Sequence, residues 1–321
     1  YSQEEVKTAL FQMFPTKAPG PDGFTTHFFQ RHWETCGEEI TRMVLRIIDG
    51  IESAECINET ILVLIPKVKN PTLLSQFRPI SLCNVFYKIA SKVIANRLKL
   101  VLPDIISEEQ SAFVTGRMIT DNASIAFECF YKIQQSKISQ NTPCTYKLDL
   151  TKAYDRVEWK FLEGALSKFG FCHKWISWVM TCVRLVRYEV RMNGEILEFF
   201  YPTRGLRQGD PLSPYLFLFV AEGLVKLINK NIADDKLTLI KIARNSPGVS
   251  HLLFADDSLI FFKACKEEAK TIVEILESFQ KGSGQLLSNN KCSVLFSGIC
   301  PGSNQLEVKT ELQITSSTFE S

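Results

Sequence analysis

The run Ser250-His-Leu-Leu-Phe-Ala-Asp-Asp-Ser-Leu-Ile-Phe-Phe262 places two adjacent carboxylates between two apolar segments. Residues 250–254 and 259–262 are short and mostly apolar, and the residues between them include Asp256 and Asp257. Short apolar runs joined by a polar turn are typical of a β-hairpin. We therefore predict a hairpin of two buried strands that carries both acids in its bend. The alternative, that the two acids form only a polar turn, is still open at this point.

The segments around this hairpin alternate irregularly between strand and helix patterns. Ile61–Ile65 is a strand pattern that ends at Pro66, and residues 188–192 and 195–200 flank the hairpin-type turn Asn193-Gly194. Helical periodicity occurs in residues 1–14, 38–51, 84–102, 121–137, 159–187, 214–231 and 266–281. We expect Pro103 and Gly282 to end the helices before them. This irregular order favours an α+β fold, with helices packed on a mainly antiparallel sheet, over a doubly wound α/β fold.

The composition is that of an ordinary globular protein, with 45% hydrophobic and 22% charged residues in 321. It argues against disordered and collagen-like chains. No apolar run approaches the length of a membrane helix and no signal-peptide pattern occurs, so we expect no membrane partner and a cytoplasmic and nuclear location. The ten cysteines lack metal-site spacing, which argues against a zinc site and predicts buried, reduced thiols.

The net charge of +2 averages over unlike regions. Residues 60–103 carry no Asp or Glu, and their basic side chains are Lys67, Lys69, Arg78, Lys88, Lys92, Arg97 and Lys99. An acid-free basic stretch of this length is a candidate surface for a polyanion such as a nucleic acid. A helix with a solvated basic face is the alternative interpretation of the same residues.

A third carboxylate, Asp149, lies where a strand pattern gives way to a helix pattern. An unpaired buried carboxylate is costly, and a divalent cation is a natural compensator. Carboxylate oxygens, together with substrate phosphates and water, are the ligands that Mg²⁺ prefers. Two such ions can activate an attacking hydroxyl and stabilise a leaving oxygen. Asp149, Asp256 and Asp257 are therefore candidate metal ligands.

Two further segments suit a substrate that carries phosphates. Residues 203–214 form a loop punctuated by Gly and Pro before an apolar helix, where a base or sugar could approach the backbone closely. Lys67 and Arg78 bracket a loop directly after a strand, a placement suited to holding phosphates.

Six motifs follow one another along residues 1–297. They are Lys17-Ala-Pro-Gly-Pro-Asp-Gly-Phe24, Phe77-Arg-Pro-Ile-Ser-Leu-Cys-Asn-Val85, Ile106-Ser-Glu-Glu-Gln-Ser-Ala-Phe-Val114, Lys147-Leu-Asp-Leu-Thr-Lys-Ala-Tyr-Asp-Arg156, Gly205-Leu-Arg-Gln-Gly-Asp-Pro-Leu-Ser-Pro214 and Phe254-Ala-Asp-Asp257. In this order and combination, they resemble the reverse transcriptase domain of LINE-type (non-LTR) retrotransposons, in the form common in plant genomes.

The resemblance implies a right-hand polymerase with fingers and palm, in which an antiparallel palm sheet is backed by helices. Residues 1–140 would form the fingers and an N-terminal extension, residues 141–297 the palm, and residues 298–321 the start of a thumb or a truncated linker. Because the chain begins at Tyr1, we expect an excerpt of a longer polyprotein whose endonuclease domain lies elsewhere.

The resemblance also implies catalytic roles. Asp149, Asp256 and Asp257 would be the metal ligands for two Mg²⁺ ions, or for Mn²⁺ in their place. Asp149 and Asp256 would be the principal ligands, while Asp257 would matter more for geometry. Lys291 would be the lysine that protonates the departing pyrophosphate.

Further residues would bind the substrates. The nucleotide-binding residues implied by the resemblance are Lys67, Arg78, Tyr154, Gln208 and Gly209. Among them, Tyr154 would be the aromatic gate that clashes with a 2′-hydroxyl. The sequence-independent contacts to the template would be Lys88, Lys92, Arg97 and Lys99, and such contacts make binding salt-dependent.

The leading functional hypothesis is RNA-directed DNA polymerisation. A DNA primer, or nicked target DNA, would supply the 3′-hydroxyl that attacks the α-phosphate of a dNTP on an RNA template. A catalytically silent or truncated nucleic-acid-binding scaffold is the alternative from another class, although three intact acids argue for recent competence. A group II intron maturase-like polymerase shares the palm chemistry, but residues 17–24 and 77–85 fit the plant LINE form better.

Overall fold

The computed structural model describes residues 1–136, 142–192 and 195–314. The helices are α1 (Gln3–Phe11), α2 (Thr26–Arg31), α3 (Trp33–Ile48), α4 (Val85–Ile105), α5 (Ile119–Gln134), α6 (Trp159–Lys168), α7 (His173–Arg184), α8 (Ser213–Ala233), α9 (Lys266–Ser283) and α10 (Gly302–Glu311). The strands are β1 (Glu59–Pro66), β2 (Phe77–Cys83), β3 (Pro143–Leu148), β4 (Arg187–Met192), β5 (Glu195–Ile196), β6 (Ile240–Lys241), β7 (Gly248–Val249), β8 (His251–Phe254), β9 (Asp257–Lys263) and β10 (Ser293–Phe296).

The chain divides into two compact units, each built from two separate stretches of sequence. The first unit comprises Tyr1–Val101 and Leu162–Leu216, and the second comprises Leu102–Phe161 and Phe217–Ser321. The predicted boundary between residues 140 and 141 falls within the second unit, and residues 137–141 lie outside the described residues. The division into fingers, palm and thumb stays a prediction.

An antiparallel four-stranded sheet forms the centre of the second unit, in the order β10-β3-β9-β8. Successive residues of a strand point to opposite faces. Leu259 and Phe261 of β9 therefore share one face, on which α5 packs through Ala126 and Cys129. Asp257 is the first residue of β9 and precedes Leu259 by two positions, so it lies on this same face, at the end of the strand.

The first unit contains a second four-stranded sheet, in the order β2-β1-β4-β5. β1 is antiparallel to β2 and parallel to β4, and β4 is antiparallel to β5. In the same unit, α1 packs on α3 through buried apolar side chains that include Val6, Leu10 and Val44. A mixed α and β structure with antiparallel sheets confirms the predicted class at this level.

The predicted helix ends at Pro103 and Gly282, and the predicted unbroken helix over residues 159–187, differ from the structure. α4 continues through Pro103 to Ile105, where the Arg117 guanidinium donates to the Pro103 carbonyl at 3.2 Å and to the Ile106 carbonyl at 2.8 Å and so satisfies carbonyls at the helix end. The predicted helix over residues 159–187 is two helices, since Gly170 adopts a left-handed φ of +85° between them. α9 runs past Gly282 to Ser283 and is capped by Gly284 with φ of +77°. The predicted Asn193-Gly194 turn lies outside the described residues.

The cysteines and helices bear on two further predictions. All ten cysteines are free thiols. Cys56 and Cys172 are exposed and Cys36 and Cys265 are half-buried, so the prediction of buried thiols is wrong for these four. Within the described ranges, no helix has both the length and the apolar character needed to cross a membrane.

Candidate active site

The hairpin of β8 and β9 confirms the predicted strands and places its acids at a tight turn. Phe254 pairs with Asp257, so Ala255 and Asp256 form the tip. Asp257 thus belongs to β9 and not to the bend, which corrects the prediction for that residue. Ala255 has a positive φ of +55°, an uncommon conformation for a residue with a side chain. Asp256 follows directly from this residue, so the backbone of Ala255 helps to set where its carboxylate points.

The third acid, Asp149, comes from the neighbouring strand. β3 and β9 are paired up to Leu148 opposite Ser258, and Asp149 continues this register toward Asp257. Burial raises the pKa of Asp257, and the charges of Asp256 and Asp149 raise it further. The structure therefore brings the three predicted acids to one end of one sheet, where their negative charges repel one another.

A lysine partly offsets this repulsion. The Nζ of Lys291 lies 3.6 Å from Oδ1 of Asp149, and the Lys291 side chain is 70% exposed. The loop that carries it is tied to the acid, because the Ser288 N–H donates to the Asp149 carbonyl at 2.9 Å and the Lys291 N–H donates to Ser288 at 2.8 Å. An exposed lysine on a short loop can leave Asp149 at little cost when another cation or a phosphate arrives.

The acids fit a divalent cation by their chemistry. Among the described residues, no group of three His, Cys, Asp or Glu side chains is arranged to hold a metal ion. Mg²⁺ sites in phosphoryl-transfer enzymes use one or two carboxylates, with phosphate oxygens and water as the remaining ligands. Burial raises the pKa of Asp257 most, the charges of Asp256 and Asp149 raise it further, and a bound cation would relieve this repulsion.

Tyr154 lies in the same unit as the acids, on the short 3₁₀ turn Tyr154–Arg156. Its ring stacks on Phe217 of α8, with centroids 5.0 Å apart and planes 11° apart. Burial raises the pKa of its phenol, and the charge of Asp256 adds to this effect. The preceding carbonyl, of Ala153, accepts a hydrogen bond of 3.0 Å from the buried Gln285 amide, a support that sequence patterns did not indicate.

The predicted phosphate-holding residues belong to the first unit. Arg78 pairs across the sheet with Ile65, and Lys67 follows the end of β1, so both are exposed at the base of one connection. The Lys67 N–H donates to the Gln76 carbonyl at 2.8 Å, which closes that connection. The predicted loop between the two cations is present and connects β1 to β2, whereas its contact with phosphates stays a prediction.

The Gln208-Gly209 segment runs beside the same strand. The Ser81 N–H of β2 donates to the Gln208 carbonyl at 2.8 Å. Gly209 has a φ of +109°, and a Cβ at this position would meet the Ser81 carbonyl oxygen at 3.0 Å. Glycine is required here for both reasons. The loop backbone therefore lies close against β2, with the Gln208 side chain half-buried.

A buried ion pair anchors this loop and was not predicted from the sequence. Arg207 and Asp210 are 3.1 Å apart, with side chains only 3% and 6% exposed. The guanidinium also donates to Asn58 Oδ1 at 2.6 Å, and the Tyr87 hydroxyl donates to Asp210 at 2.6 Å. Because the motif contains both charged residues, their presence was visible in the sequence, but their burial was not.

The basic side chains of α4 are less accessible to a nucleic acid than the sequence predicted. Lys88 is buried, its Nζ donates to the Ala18 carbonyl at 3.1 Å, and desolvation lowers its pKa. The predicted template contact of Lys88 is therefore wrong, because its side chain is buried and its Nζ is bound to the Ala18 carbonyl.

Arg97 is also engaged within the protein. Its guanidinium makes hydrogen bonds of 2.6 and 3.0 Å to Glu5 and lies 3.7 Å from the Tyr1 ring centre. The bond to Arg97 lowers the pKa of Glu5 to about 2. Lys92 and Lys99 stay partly exposed. Desolvation lowers the pKa of Lys92, and the positive charges of Lys99 and Lys17 lower it further. On α4, burial and an ion pair thus engage Lys88 and Arg97, whereas Lys92 and Lys99, near the exposed Lys17, stay partly accessible to a polyanion.

A profile of the family described as reverse transcriptase (RNA-dependent DNA polymerase) matches residues 65–315, which include every site residue predicted above. The chain belongs to the reverse transcriptase family. It is 29% identical over 296 residues to the uncharacterized 149 kDa protein of transposon TX1 from Xenopus laevis, covering 91% of this chain and 22% of that protein.

Other relatives agree with this assignment. The chain is 25% identical over 313 residues to the Pol polyprotein of the R2 retrotransposable element from Nasonia vitripennis, covering 97% of this chain and 28% of that protein. It is 39% identical over 90 residues to the uncharacterized mitochondrial protein AtMg01250 of Arabidopsis thaliana, covering 28% of this chain and 64% of that protein. The chain thus spans about a quarter of the length of these first two relatives. The predicted relation to non-LTR retrotransposons is confirmed, while plant origin stays a prediction.

Proposed function

We propose that this chain is the polymerase domain of a plant LINE-type retrotransposon and extends a DNA primer on an RNA template with dNTPs. The observation that carries the proposal is the convergence of Asp149, Asp256 and Asp257 at one end of one antiparallel sheet, within the residues that match the family. The catalytically silent scaffold is not favoured, because this charge cluster lowers the stability of a domain that has no cation to bind.

Asp149 and Asp256 would hold the cations, two Mg²⁺ ions or Mn²⁺ in their place, and Asp257 would support their geometry. When bound, such ions polarise the phosphate oxygens and lower the pKa of the primer hydroxyl. Lys291 would exchange its contact with Asp149 for the departing pyrophosphate and supply a proton to it. Tyr154, whose ring stacks on Phe217 and whose pKa is raised by burial and by the charge of Asp256, would exclude a 2′-hydroxyl.

The first unit would bind the rest of the substrates. Lys67 and Arg78 are exposed cations that would hold the triphosphate, and Gln208 and Gly209 would face the incoming nucleotide and the template. Lys92 and Lys99 would make salt-dependent template contacts. We further propose a right-hand arrangement of fingers and palm, priming on nicked target DNA, an endonuclease elsewhere in the polyprotein, and action in the cytoplasm and nucleus.

Primer extension by the purified chain tests this function. The assay uses an RNA template, a DNA primer, dNTPs and Mg²⁺, beside the double variant Asp256→Asn/Asp257→Asn and the exposed control Asp234→Asn. We expect extension by the wild type and by Asp234→Asn only. Equal extension by the wild type and the double variant would contradict the assignment of the acids, and no extension by the wild type would contradict the activity of this chain.

A further inference from the structure

A short segment of chain covers the free edge of the carboxylate hairpin. β8 is the edge strand of its sheet, and the Leu253 N–H donates to the Glu109 carbonyl at 2.9 Å. The Ser111 N–H donates back to the Leu253 carbonyl at 3.2 Å, which forms a parallel bridge between Gln110 and Leu253. Backbone groups at a sheet edge need such partners. Residues 109–111 therefore fix β8 directly before the acids.

Asn122 of α5 secures the same junction. Its Nδ2 donates to the Glu109 carbonyl at 2.8 Å and to the Leu253 carbonyl at 3.0 Å. One side chain thus joins the covering segment to the edge strand. The junction is held from the helix as well as from the backbone.

The Gln110 side chain extends this support to the tip of the hairpin. It is 1% exposed, and its Oε1 accepts hydrogen bonds of 3.0 Å from the N–H groups of Ala255 and Ala112. Because both neighbours are donors, the atom that faces them must be the oxygen of the amide. In the described part of the chain, no acceptor reaches the buried Nε2. The side chain is therefore held through its oxygen.

Ala255 is the residue in this hairpin that needs such support. Its φ of +55° is disfavoured for any residue with a Cβ. Such conformations persist where the surrounding structure over-determines them. Loss of this acceptor would leave the buried Ala255 N–H unpaired and remove a contact that holds the strained residue directly before Asp256.

We infer that Gln110 is a positioning residue of the polymerase site. Its Oε1 holds Ala255 in the left-handed conformation and thereby sets the direction of the Asp256 carboxylate. This role rests on the proposed function for its catalytic meaning, but the structural part of it can be measured without any activity.

The first test is hydrogen exchange at the hairpin. Gln110→Met keeps the length and most of the volume of the side chain and removes the acceptor. Gln30→Met is the matched control, because the Gln30 amide is also buried in part and donates to two carbonyls, of Leu10 and Met13, in the first unit. We expect at least tenfold faster exchange of the Ala255 amide in Gln110→Met and no change there in Gln30→Met. Unchanged exchange in Gln110→Met overturns the inference.

The second test is the rate of single-nucleotide incorporation. We expect Gln110→Met to lower kcat up to about 100-fold, because small displacements of reacting groups have effects of this size, with little change in the KM for dNTP. Ala255→Gly adopts the same φ without strain, so adding it to Gln110→Met should restore most of the lost rate. The double variant also serves where Gln110→Met alone folds poorly.

The outcomes separate this inference from the proposed function. If the wild type extends a primer and Gln110→Met is equally fast, or if Ala255→Gly restores nothing, the positioning role is wrong. If the wild type extends no primer, the proposed function fails, and the exchange rates of Ala255 still decide whether Gln110 holds the hairpin.

Discussion

Two pairs of opposite charge show how differently the protein uses the same chemistry. In the first unit, Arg207 and Asp210 lie 3.1 Å apart and are almost fully buried. In the second unit, Lys291 and Asp149 lie 3.6 Å apart with side chains 70% and 28% exposed. The buried pair has further hydrogen bonds that fix its geometry, whereas the exposed pair can separate. The buried pair stabilises the loop that carries Gln208 and Gly209, whereas the exposed pair leaves Asp149 able to bind another cation.

Removing one charge of the buried pair should have the largest effect on folding. Arg207→Met removes the cation beside the buried Asp210, which keeps its hydrogen bonds from the Tyr87 hydroxyl and the Leu212 N–H, and breaking a buried pair in this way costs about 3–5 kcal/mol. We expect the free energy of unfolding, measured by urea denaturation, to fall by this amount. A loss below about 1 kcal/mol would mean that the buried pair does not anchor the Gln208 loop.

The exposed pair should behave in the opposite way. Lys291→Met removes a surface ion pair, so we expect the free energy of unfolding to change by less than about 1 kcal/mol. The rate of single-nucleotide incorporation should fall by about 100-fold, because general acid catalysis contributes at least this much. Lys291→Arg keeps the charge and is the control for electrostatics. If Lys291→Met lowers the free energy of unfolding but keeps the wild-type incorporation rate, the exposed pair is structural and the contrast with the buried pair is wrong.

Some of this contrast could be predicted from the sequence. The hairpin at residues 250–262, the strand before Asp149 and the connection between Lys67 and Arg78 follow from local patterns that the structure keeps. Partners that are distant in sequence could not be predicted. Lys88 fits a helical surface pattern, but it is buried and bound to the Ala18 carbonyl, 70 residues away in sequence. Gln110 lies in a quoted motif, but its bond to Ala255 spans 145 residues. Burial of Arg207 depends on such distant contacts too.

A smaller effect should appear in the stability of the acid cluster. The pKa of Asp257 is raised above 3.8, so ionisation lowers the stability of the folded state as the pH rises through that raised value. Asp257→Asn should therefore raise the Tm at pH 7 in the absence of divalent cations. The difference in Tm between the wild type and Asp257→Asn should vanish well below pH 3.8, where Asp257 is protonated in the folded and in the unfolded protein. An equal or lower Tm at pH 7 would show that the cluster is not under charge repulsion.

The central claim is that Asp149, Asp256 and Asp257 bind the cations that drive nucleotide transfer. Its most direct test is single-nucleotide incorporation on an RNA template during a Mg²⁺ titration, with wild type, Asp149→Asn and the exposed control Asp234→Asn. We predict that Asp149→Asn lowers the rate by about 100-fold or more at every Mg²⁺ concentration, because a bound ion stabilises the transition state by several kcal/mol. Asp234→Asn should match the wild type. An Asp149→Asn curve that coincides with the wild-type curve would contradict the claim.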